Sequence, residues 1–297
     1  MITVPAAAVE ITGTSLMKNA TIPEVVNVGV YVMDLNNFNV VDGVYNANFY
    51  LILSSDTPVS IDDVQIMNGH ATSVETIVDT PNLKNYHIVA TITASPDLRL
   101  YPFDKHTLPI QIKPKSKPET DMVFLIDQGR TGLDAEANLP GWEYSITNSY
   151  VTNKSFLKAR EAYSRAVFDY TIRRDTTSTI LKFFLPIMLI VIVSLTSLLM
   201  KVSSRLGLNA SMFLAAVLIH WRIADSIPLV TYATFLDLFM MITYATLVMV
   251  LISGILIMKF TESKDTARVE KIYYWSLRVI PPLSITLYFL LFLTLVR

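Results

Sequence analysis

Residues 206–227 have the sequence LGLNASMFLAAVLIHWRIADSI, an apolar stretch that nevertheless contains Asn209, His220, Arg222 and Asp225. A helix of about 20 mainly apolar residues spans the roughly 30 Å hydrocarbon core of a bilayer. Polar and ionisable side chains are costly against lipid, so in such a helix they face protein or water. The stretch is therefore predicted to be a transmembrane helix that borders water on one side.

Helical steps of three and four residues place one row of this stretch on a single face. The row is small and polar at one end, aliphatic in the middle and acidic at the other: Gly207, Ser211, Leu214, Leu218, Trp221 and Asp225. Around a shared axis, leucine rings form a hydrophobic gate and an acidic ring concentrates cations. We predict that the row lines an ion pore, although a leucine stripe at this spacing is also typical of ordinary helix packing.

Three further apolar stretches accompany this one. The transmembrane domain is predicted at 179–297, with helices at about 179–200, 205–226, 234–259 and 271–296. Four such stretches in succession are typical of a multi-pass membrane protein, because buried core helices are rarely this long and apolar.

The first part of the chain has a different pattern. Short apolar and polar alternations lie between Asn, Asp, Gly and Pro clusters, at 26–32, 44–51, 87–94, 108–112, 122–126 and 166–172. Such runs predict an all-β sandwich. We therefore expect residues 1–178 to form an extracellular, immunoglobulin-like, ligand-binding β-sandwich, with one possible short helix near 7–15.

Composition agrees with a chain divided between water and lipid. With 52% hydrophobic residues and 16% charged residues, it is too apolar for an ordinary soluble domain and too polar for an all-membrane protein. The net charge of −1 gives no basic field for nucleic acid. No cysteine is present, which excludes disulfides, and an exported domain without disulfides suggests a bacterial source.

Enzyme motifs are absent from the sequence. It has no His-Glu-x-x-His, glycine-rich phosphate loop, cysteine nucleophile or Gly-x-Ser-x-Gly elbow. We predict that the protein is not an enzyme and has no resident cofactor.

Basic residues predict the orientation. They occur between the first and second stretches and between the third and fourth, but not at 226–233. The positive-inside rule places the basic connections in the cytoplasm. We predict a multi-pass protein of a bacterial inner membrane with both termini extracytoplasmic. Because residues 1–5 lack signal-peptide features, we expect that a targeting segment or a further domain has been removed.

One loop and the order of the segments resemble a known family. Tyr101-Pro102-Phe103-Asp104, followed by Leu108-Pro109-Ile110, is similar to the signature loop of pentameric ligand-gated ion channels, the Cys-loop receptor superfamily. The order is similar along essentially the whole chain: Arg173-Arg174 before the membrane, Phe184-Leu185-Pro186 in the first helix, then the pore helix, Pro228 and Tyr232.

Three departures from the family pattern bear on which ligand binds and which ion is conducted. The two cysteines that flank the loop in animal receptors are absent, as in bacterial members. The aromatic box is incomplete, because no tryptophan occurs at 53–56. Ser203-Ser204 stand where cation-selective relatives commonly have a glutamate.

The resemblance implies a homopentamer around a central pore, gated by rearrangement of the extracellular domains. We expect a ligand-gated channel for monovalent cations. The residues expected to couple the β-domain to the pore are Tyr101, Pro102, Phe103, Asp104, Arg174, Pro228 and Tyr232. Asp104 and Arg174 are expected to form an ion pair there, with Pro228 against Pro102 and Phe103.

The ligand is expected to be a small molecule, a proton or a divalent cation. By resemblance, a small molecule binds between subunits under the hairpin near 151–164, whose aromatic residues are Tyr150, Phe156 and Tyr163. Calcium as a modulator would use oxygen ligands from Asp34, Asp62, Asp63, Asp134 and Glu136. His70, His87 and His106 are candidate proton sensors, although isolated histidines in a sandwich are more often core or surface groups.

Two alternatives remain open from the sequence. An anion channel of the same family would follow if Arg222 faced the pore and Asp225 faced away. A membrane-anchored sensor or adhesion protein would use the same helices without conduction, and its leucine row would be packed dry.

Overall fold

The computed structural model describes residues 22–156, 161–225 and 227–295. Its first part consists of β-strands and its second part of long helices. The short helix predicted near 7–15 lies outside the described residues.

In the described residues, ten strands form two sheets. They are β1 (Glu24–Asn39), β2 (Val44–Ser55), β3 (Val64–Ile66), β4 (Gly69–Asp79), β5 (Leu83–Thr93), β6 (Lys105–Pro114), β7 (Met122–Ile126), β8 (Gly132–Leu133), β9 (Trp142–Phe156) and β10 (Glu161–Arg174). One sheet has the order β4-β5-β2-β1-β7, with β8 also on β1; the other has the order β3-β6-β10-β9.

Alternation along the strands produces the core between the sheets. In β1, Val26, Val28, Val30 and Val32 are all fully buried, and β2 pairs with this strand in antiparallel register. Successive side chains of a strand point to opposite faces, so every second residue enters the core. The predicted sandwich is confirmed.

Four of the described strands lie outside the predicted runs: β3, β4, β8 and β9. β4 was not predicted, and nearly all of its side chains are exposed, so it lacks the alternation that marks a half-buried strand. β9 was also not predicted; it forms the edge of the smaller sheet and pairs only with β10.

Among the described residues, four helices that are long and apolar enough to cross a membrane follow the sandwich. They are α1 (Thr177–Leu199), α2 (Val202–Ala224), α3 (Phe235–Glu262) and α4 (Thr266–Leu293). The fourth begins at Thr266 rather than at 271, because Asp265 caps its first turn and polar residues form the start of the helix. The order of a β-sandwich and four apolar helices confirms the predicted fold class and supports a multi-pass membrane protein.

Buried polar groups join the first three helices. Asn209 of α2 donates to the Ser197 hydroxyl at 2.7 Å and to the Arg205 carbonyl at 2.8 Å, and it accepts from the Ser194 hydroxyl. Arg205 donates to the Ser253 hydroxyl on α3. Since such groups are costly when unpaired in lipid, these bonds fix which side of α2 faces its own subunit.

Candidate functional site

The exposed side of α2 contains the predicted pore row. The buried residues of α2 are Arg205, Asn209, Ala216 and Ile223, all on one side of the helix. At about 100° per residue, the six residues of the row centre on the opposite side. The structure therefore places the row directly away from the helices of its own subunit.

Each member of the row is exposed within the subunit. Leu214 is 60% exposed, Leu218 is 53% exposed and Trp221 is 70% exposed. Gly207, Ser211 and Asp225 are exposed as well, and nothing lies within 4 Å of a Cβ built on Gly207. The row is not sealed inside a single subunit.

The ionisable residues near the end of this helix face different neighbouring helices. His220 lies against α3, where its Nδ1 is 2.9 Å from the Tyr244 hydroxyl and its Nε2 is 3.7 Å from Asp237. Arg222 and Asp225 border a cavity of about 520 Å³ beside α1, together with Lys182. Within the described residues, neither Arg222 nor Asp225 forms a salt bridge, although the two residues and Lys182 border the same cavity.

Asp104 is the centre of the polar contacts beneath the sandwich. It is 1% exposed, and its carboxylate accepts from Arg174 Nε at 2.8 Å and from Arg174 Nη2 at 3.0 Å. His106 Nε2 lies 2.6 Å from the same carboxylate. Burial alone would raise the pKa of Asp104, but the hydrogen bonds from His106 and Arg174 outweigh it and hold that pKa at about 2.

Aromatic rings enclose this ion pair. The Arg174 guanidinium lies 4.3 Å from the centre of the Trp142 ring and 5.2 Å from that of Tyr101. Such stacking shields the pair from water and holds the guanidinium in one orientation. The last strand before the membrane is thereby attached to the loop at 94–104.

The same loop contacts the start of α3 through its backbone. The Phe235 amide donates to the Arg99 carbonyl at 2.8 Å, and the Leu236 amide donates to the Tyr101 carbonyl at 3.1 Å. Amides of a first helical turn have no partner inside the helix, so the loop supplies the missing acceptors. Two backbone hydrogen bonds therefore join the loop to the first turn of α3.

Phe103 extends the contact into the helix bundle. Its ring stacks on Phe184 of α1 with centroids 5.2 Å apart and meets Phe235 of α3 edge-on at 5.5 Å. Tyr232, in the connection between α2 and α3, accepts a hydrogen bond from the Leu98 amide at 3.0 Å. The loop thus contacts α1, α3 and the connection between α2 and α3.

Pro102 and Pro228 complete the predicted coupling set. The Tyr101–Pro102 bond is cis, and Pro228 is half-buried in the connection between α2 and α3. The contact predicted between Pro228 and Pro102-Phe103 stays a prediction.

The predicted ligand residues lie on the hairpin of β9 and β10. Tyr150 is 42% exposed, and Tyr163 bonds Glu161 through its hydroxyl at 3.0 Å. The Phe156 side chain lies outside the described residues.

The predicted calcium ligands are not brought together. Among the described residues, no three His, Cys, Asp or Glu side chains form a group that could hold a metal. Asp63 instead caps the turn at Ser60, and Asp134 accepts from the Tyr31 hydroxyl. Calcium modulation stays a prediction without a formed site.

The three candidate histidines have different surroundings. His106 is the buried partner of Asp104, and its Nδ1 has no hydrogen-bond partner within the described residues. His87 lies 2.6 Å from Asn48 Oδ1 and 3.7 Å from Glu75. His70 is exposed and borders a cavity between the sheets.

The sequence did not predict a pocket on the outer face of the larger sheet. It measures about 340 Å³ and is lined by Tyr31, Tyr50, Ile52, Val78, Leu83, Asn85 and Arg130. The Asn85 side-chain oxygen is buried and has no hydrogen-bond partner within the described residues. The pocket combines aromatic rings, an amide and a guanidinium.

Gly29 permits this pocket to form. A Cβ at Gly29 would lie 2.9 Å from the Arg130 carbonyl oxygen, so only glycine lets the loop of Arg130 lie this close to β1. An isolated glycine in the strand pattern was the available signal, since it indicates close approach of another backbone.

Comparisons with known proteins support a class for this fold and site. No family model matches the chain. Over 240 residues it is 22% identical to the proton-gated ion channel of Gloeobacter violaceus, covering 72% of this chain and 67% of that protein. Over 165 residues it is 24% identical to the gamma-aminobutyric acid receptor subunit beta-4 of Gallus gallus, covering 54% of this chain but only 33% of the receptor subunit.

A β-sandwich followed by four apolar helices is consistent with the fold of the pentameric ligand-gated ion channels. Together with these low-identity similarities it supports the family that the sequence predicted. Both similar proteins are channels or receptors by name, one gated by protons and one a receptor for gamma-aminobutyric acid.

Proposed function

We propose that the chain is one subunit of a ligand-gated ion channel and that five copies surround the exposed row of α2. One observation supports this most strongly: the row lies opposite the packed side of α2 and includes Ser211 and Asp225 among large apolar residues. Lipid would be a poor neighbour for the polar members. A shared aqueous axis accommodates the whole row, with Leu214 and Leu218 as the gate.

The absence of cysteine makes this proposal directly testable. Single cysteines at Leu214, Leu218 and Asp225 should react with a charged, water-soluble thiol reagent and block the current. A cysteine at Met212, which packs against the bundle of its own subunit, is the matched control. Equal reaction at the row and at Met212, or none at the row, would contradict a pore along this face.

We infer selectivity for monovalent cations from Asp225. Its exposed carboxylate at one end of the row would form an acidic ring of five. Arg222 lies about 60° around the helix from it, beside Lys182. The experiment is the reversal potential on dilution of sodium chloride, measured for the native channel and for Asp225→Asn.

The anion channel is the alternative that Arg222 and Lys182 support. Two cations border the cavity beside α1, and only one carboxylate faces them there. Two results would favour the anion channel. One is a reversal potential that moves toward the chloride value, and the other is a larger change of that potential in Arg222→Gln than in Asp225→Asn.

For gating, we propose that the loop at 94–104 transmits movement of the sandwich to the pore. Its support is the pair of backbone hydrogen bonds to the first turn of α3 and the buried pair of Asp104 and Arg174. The loop is then joined to β10 through Asp104 and Arg174, and to α3 through the two backbone hydrogen bonds. An activation curve unchanged in Asp104→Asn, with normal assembly, would contradict this path.

For the ligand, we propose a small molecule in the pocket of Arg130, completed by the neighbouring subunit's hairpin. The pocket offers a cation, an unpartnered amide oxygen and tyrosine rings, which suit a molecule with an anionic and a hydrogen-bond-donating end. Arg130→Gln should raise the activating concentration without changing unitary current. The proton and a divalent cation remain proposals to be tested in the same recordings.

The membrane in which the protein lies and its division into domains are also proposals. We propose an extracytoplasmic ligand-binding domain over residues 1–178 and a transmembrane domain over 179–297, in the inner membrane of a bacterium. Support comes from the basic connections α1–α2 and α3–α4, which the positive-inside rule places in the cytoplasm. Protease access to a tag at either terminus, in intact spheroplasts, is the test.

A further inference from the structure

The two sides of the exposed row differ in charge near the C-terminal end of α2. On one side, the exposed cations Arg222 of α2 and Lys182 of α1 border the cavity between these helices. On the other side lies Asp237, in the first turn of α3, with a side chain that is 38% exposed. One subunit therefore presents cations on one side of the row and a carboxylate on the other.

Helix geometry separates these charges within one subunit. Two residues along an α-helix turn by about 200°, so His220 and Arg222 face nearly opposite sides of α2. His220 lies against α3, where its Nε2 is 3.7 Å from Asp237 Oδ1. Arg222 therefore faces away from the carboxylate of its own subunit.

The opposite charges lie at nearly the same depth along the bundle. Two residues of a helix rise by about 3 Å, which is the axial distance from His220 to Arg222. His220 is itself in contact range of Asp237. Rotation about an axis parallel to the helices leaves depth unchanged, so Arg222 of one copy comes to the level of Asp237 of the next.

Asp237 keeps one carboxylate oxygen for a further partner. Its Oδ2 accepts from the amide and from the hydroxyl of Thr234, each at 2.8 Å, and so caps the first turn of α3. Its Oδ1 accepts no hydrogen bond within the described residues and has only His220 nearby, at 3.7 Å. Over the same part of the chain, Arg222 forms no salt bridge. A guanidinium and a carboxylate oxygen are thus available to each other between copies.

We propose that Arg222 of one copy pairs with Asp237 of the next copy, and that the neighbour's α3 covers the cavity beside α1. A ring of identical subunits is closed by head-to-tail contacts, in which the two joined sides differ and must be complementary. Lys182 adds positive potential to the side that Arg222 presents. This inference rests on the proposed ring of subunits around the row, and it names the side chains that close that ring.

The pair also gives Arg222 a place outside the pore. A guanidinium held by the neighbouring α3 stays away from the axis that the row surrounds. Asp225, the last member of the row, then faces that axis without the Arg222 charge beside it. Arg222 therefore stabilises assembly, and selectivity depends on Asp225.

The first test is cross-linking of the purified full chain, which contains no cysteine of its own. Arg222→Cys and Asp237→Cys are combined and treated with a short bifunctional thiol reagent, because an arginine–aspartate pair separates the Cβ atoms by more than a disulfide permits. We expect a ladder of covalently joined subunits in denaturing electrophoresis. His220→Cys combined with Asp237→Cys is the matched control, since it loses the same helix cap but joins two residues of one subunit, and it should stay monomeric.

The second test is a double-mutant cycle on assembly, followed by native mass spectrometry in detergent. Arg222→Gln should increase the ratio of free subunits to oligomer by about tenfold, the low end of the effect of a close charge pair across an interface. In the Asp237→Asn background the same change should have little effect. Asparagine keeps a side-chain oxygen for the Thr234 amide, so this background preserves the cap of α3.

The native chain separates this inference from the proposed function. If native mass spectrometry finds no oligomer of five copies, the proposed ring is wrong and this pair falls with it. If five copies are found, either of two results overturns the pair alone. They are the absence of a ladder in the Arg222→Cys and Asp237→Cys combination, and an equal effect of Arg222→Gln in the native and Asp237→Asn backgrounds.

Discussion

Replacing Asp104 by asparagine keeps the shape of the side chain and removes the charge that Arg174 and His106 contact. Arg174 is then left with a weaker acceptor in a buried place, and a lost charge partner there is costly. The pKa of Asp104 falls from 3.8 to about 2 in the folded chain, and at 1.36 kcal/mol per pKa unit this corresponds to about 2 kcal/mol of stabilisation by the charged form.

The pH at which this stabilisation is lost follows from the sign of the shift. A carboxyl whose folded pKa lies below its unfolded value stabilises the fold above the unfolded pKa. The contribution is therefore complete above about pH 5 and disappears as pH falls from about 4 toward 2. Gating by protons between pH 7 and 5, if observed, would have to come from other groups.

The assay combines thermal unfolding of the purified channel in detergent with single-channel recording. Asp104→Asn should unfold at lower temperature at pH 7 and shift the activation curve, while unitary conductance stays unchanged. Asp97→Asn is the control, because Asp97 forms an exposed pair with Arg99 in the same loop, where a pair contributes roughly 0–1 kcal/mol. Equal effects of the two variants would refute the reasoning, and so would unchanged stability in Asp104→Asn.

Three other predictions concern the pore and its connections. Leu214→Ser should give channels that open more easily or leak, because a hydroxyl ring stays hydrated, and unchanged currents with reduced stability would indicate packing instead. Tyr232→Phe removes the acceptor of the Leu98 amide and should cost about 1 kcal/mol and shift activation, measured by unfolding and recording. Gly207→Ala should lower conductance without lowering stability, because no described residue lies within 4 Å of the added Cβ; unchanged conductance with reduced stability would contradict the placement of the row.

Much of the sandwich could be predicted because its strands are half-buried. β1 and β2 alternate in burial, and alternation of period two is visible in sequence. β4 and β9 could not be predicted on the same grounds. β4 is held by its backbone hydrogen bonds to β5 and exposes nearly all of its side chains. Backbone pairing leaves no mark on the side-chain pattern.

The candidate site also has a part that the sequence could predict and a part that it could not. The pore row could be predicted because helix geometry alone places its members on one face. The surroundings of Arg222, the partners of Asn209 and the burial of Arg205 depend on which helices lie beside α2. The pocket of Arg130 depends on a loop that crosses β1 at Gly29, 101 residues away in sequence.

The sequence by itself determined a β-rich first part, four membrane-crossing helices, the polar row of α2 and the signature loop at 101–104. These follow from local period, length and composition, which involve residues close together in the chain. Only the tertiary structure decided that Asp104 is buried between Arg174 and His106, that the loop carbonyls meet the first turn of α3, and that the buried Arg205 of α2 donates to Ser253 of α3. Those features join segments distant in sequence, and their energies come from burial and from charge separation, which no local pattern contains.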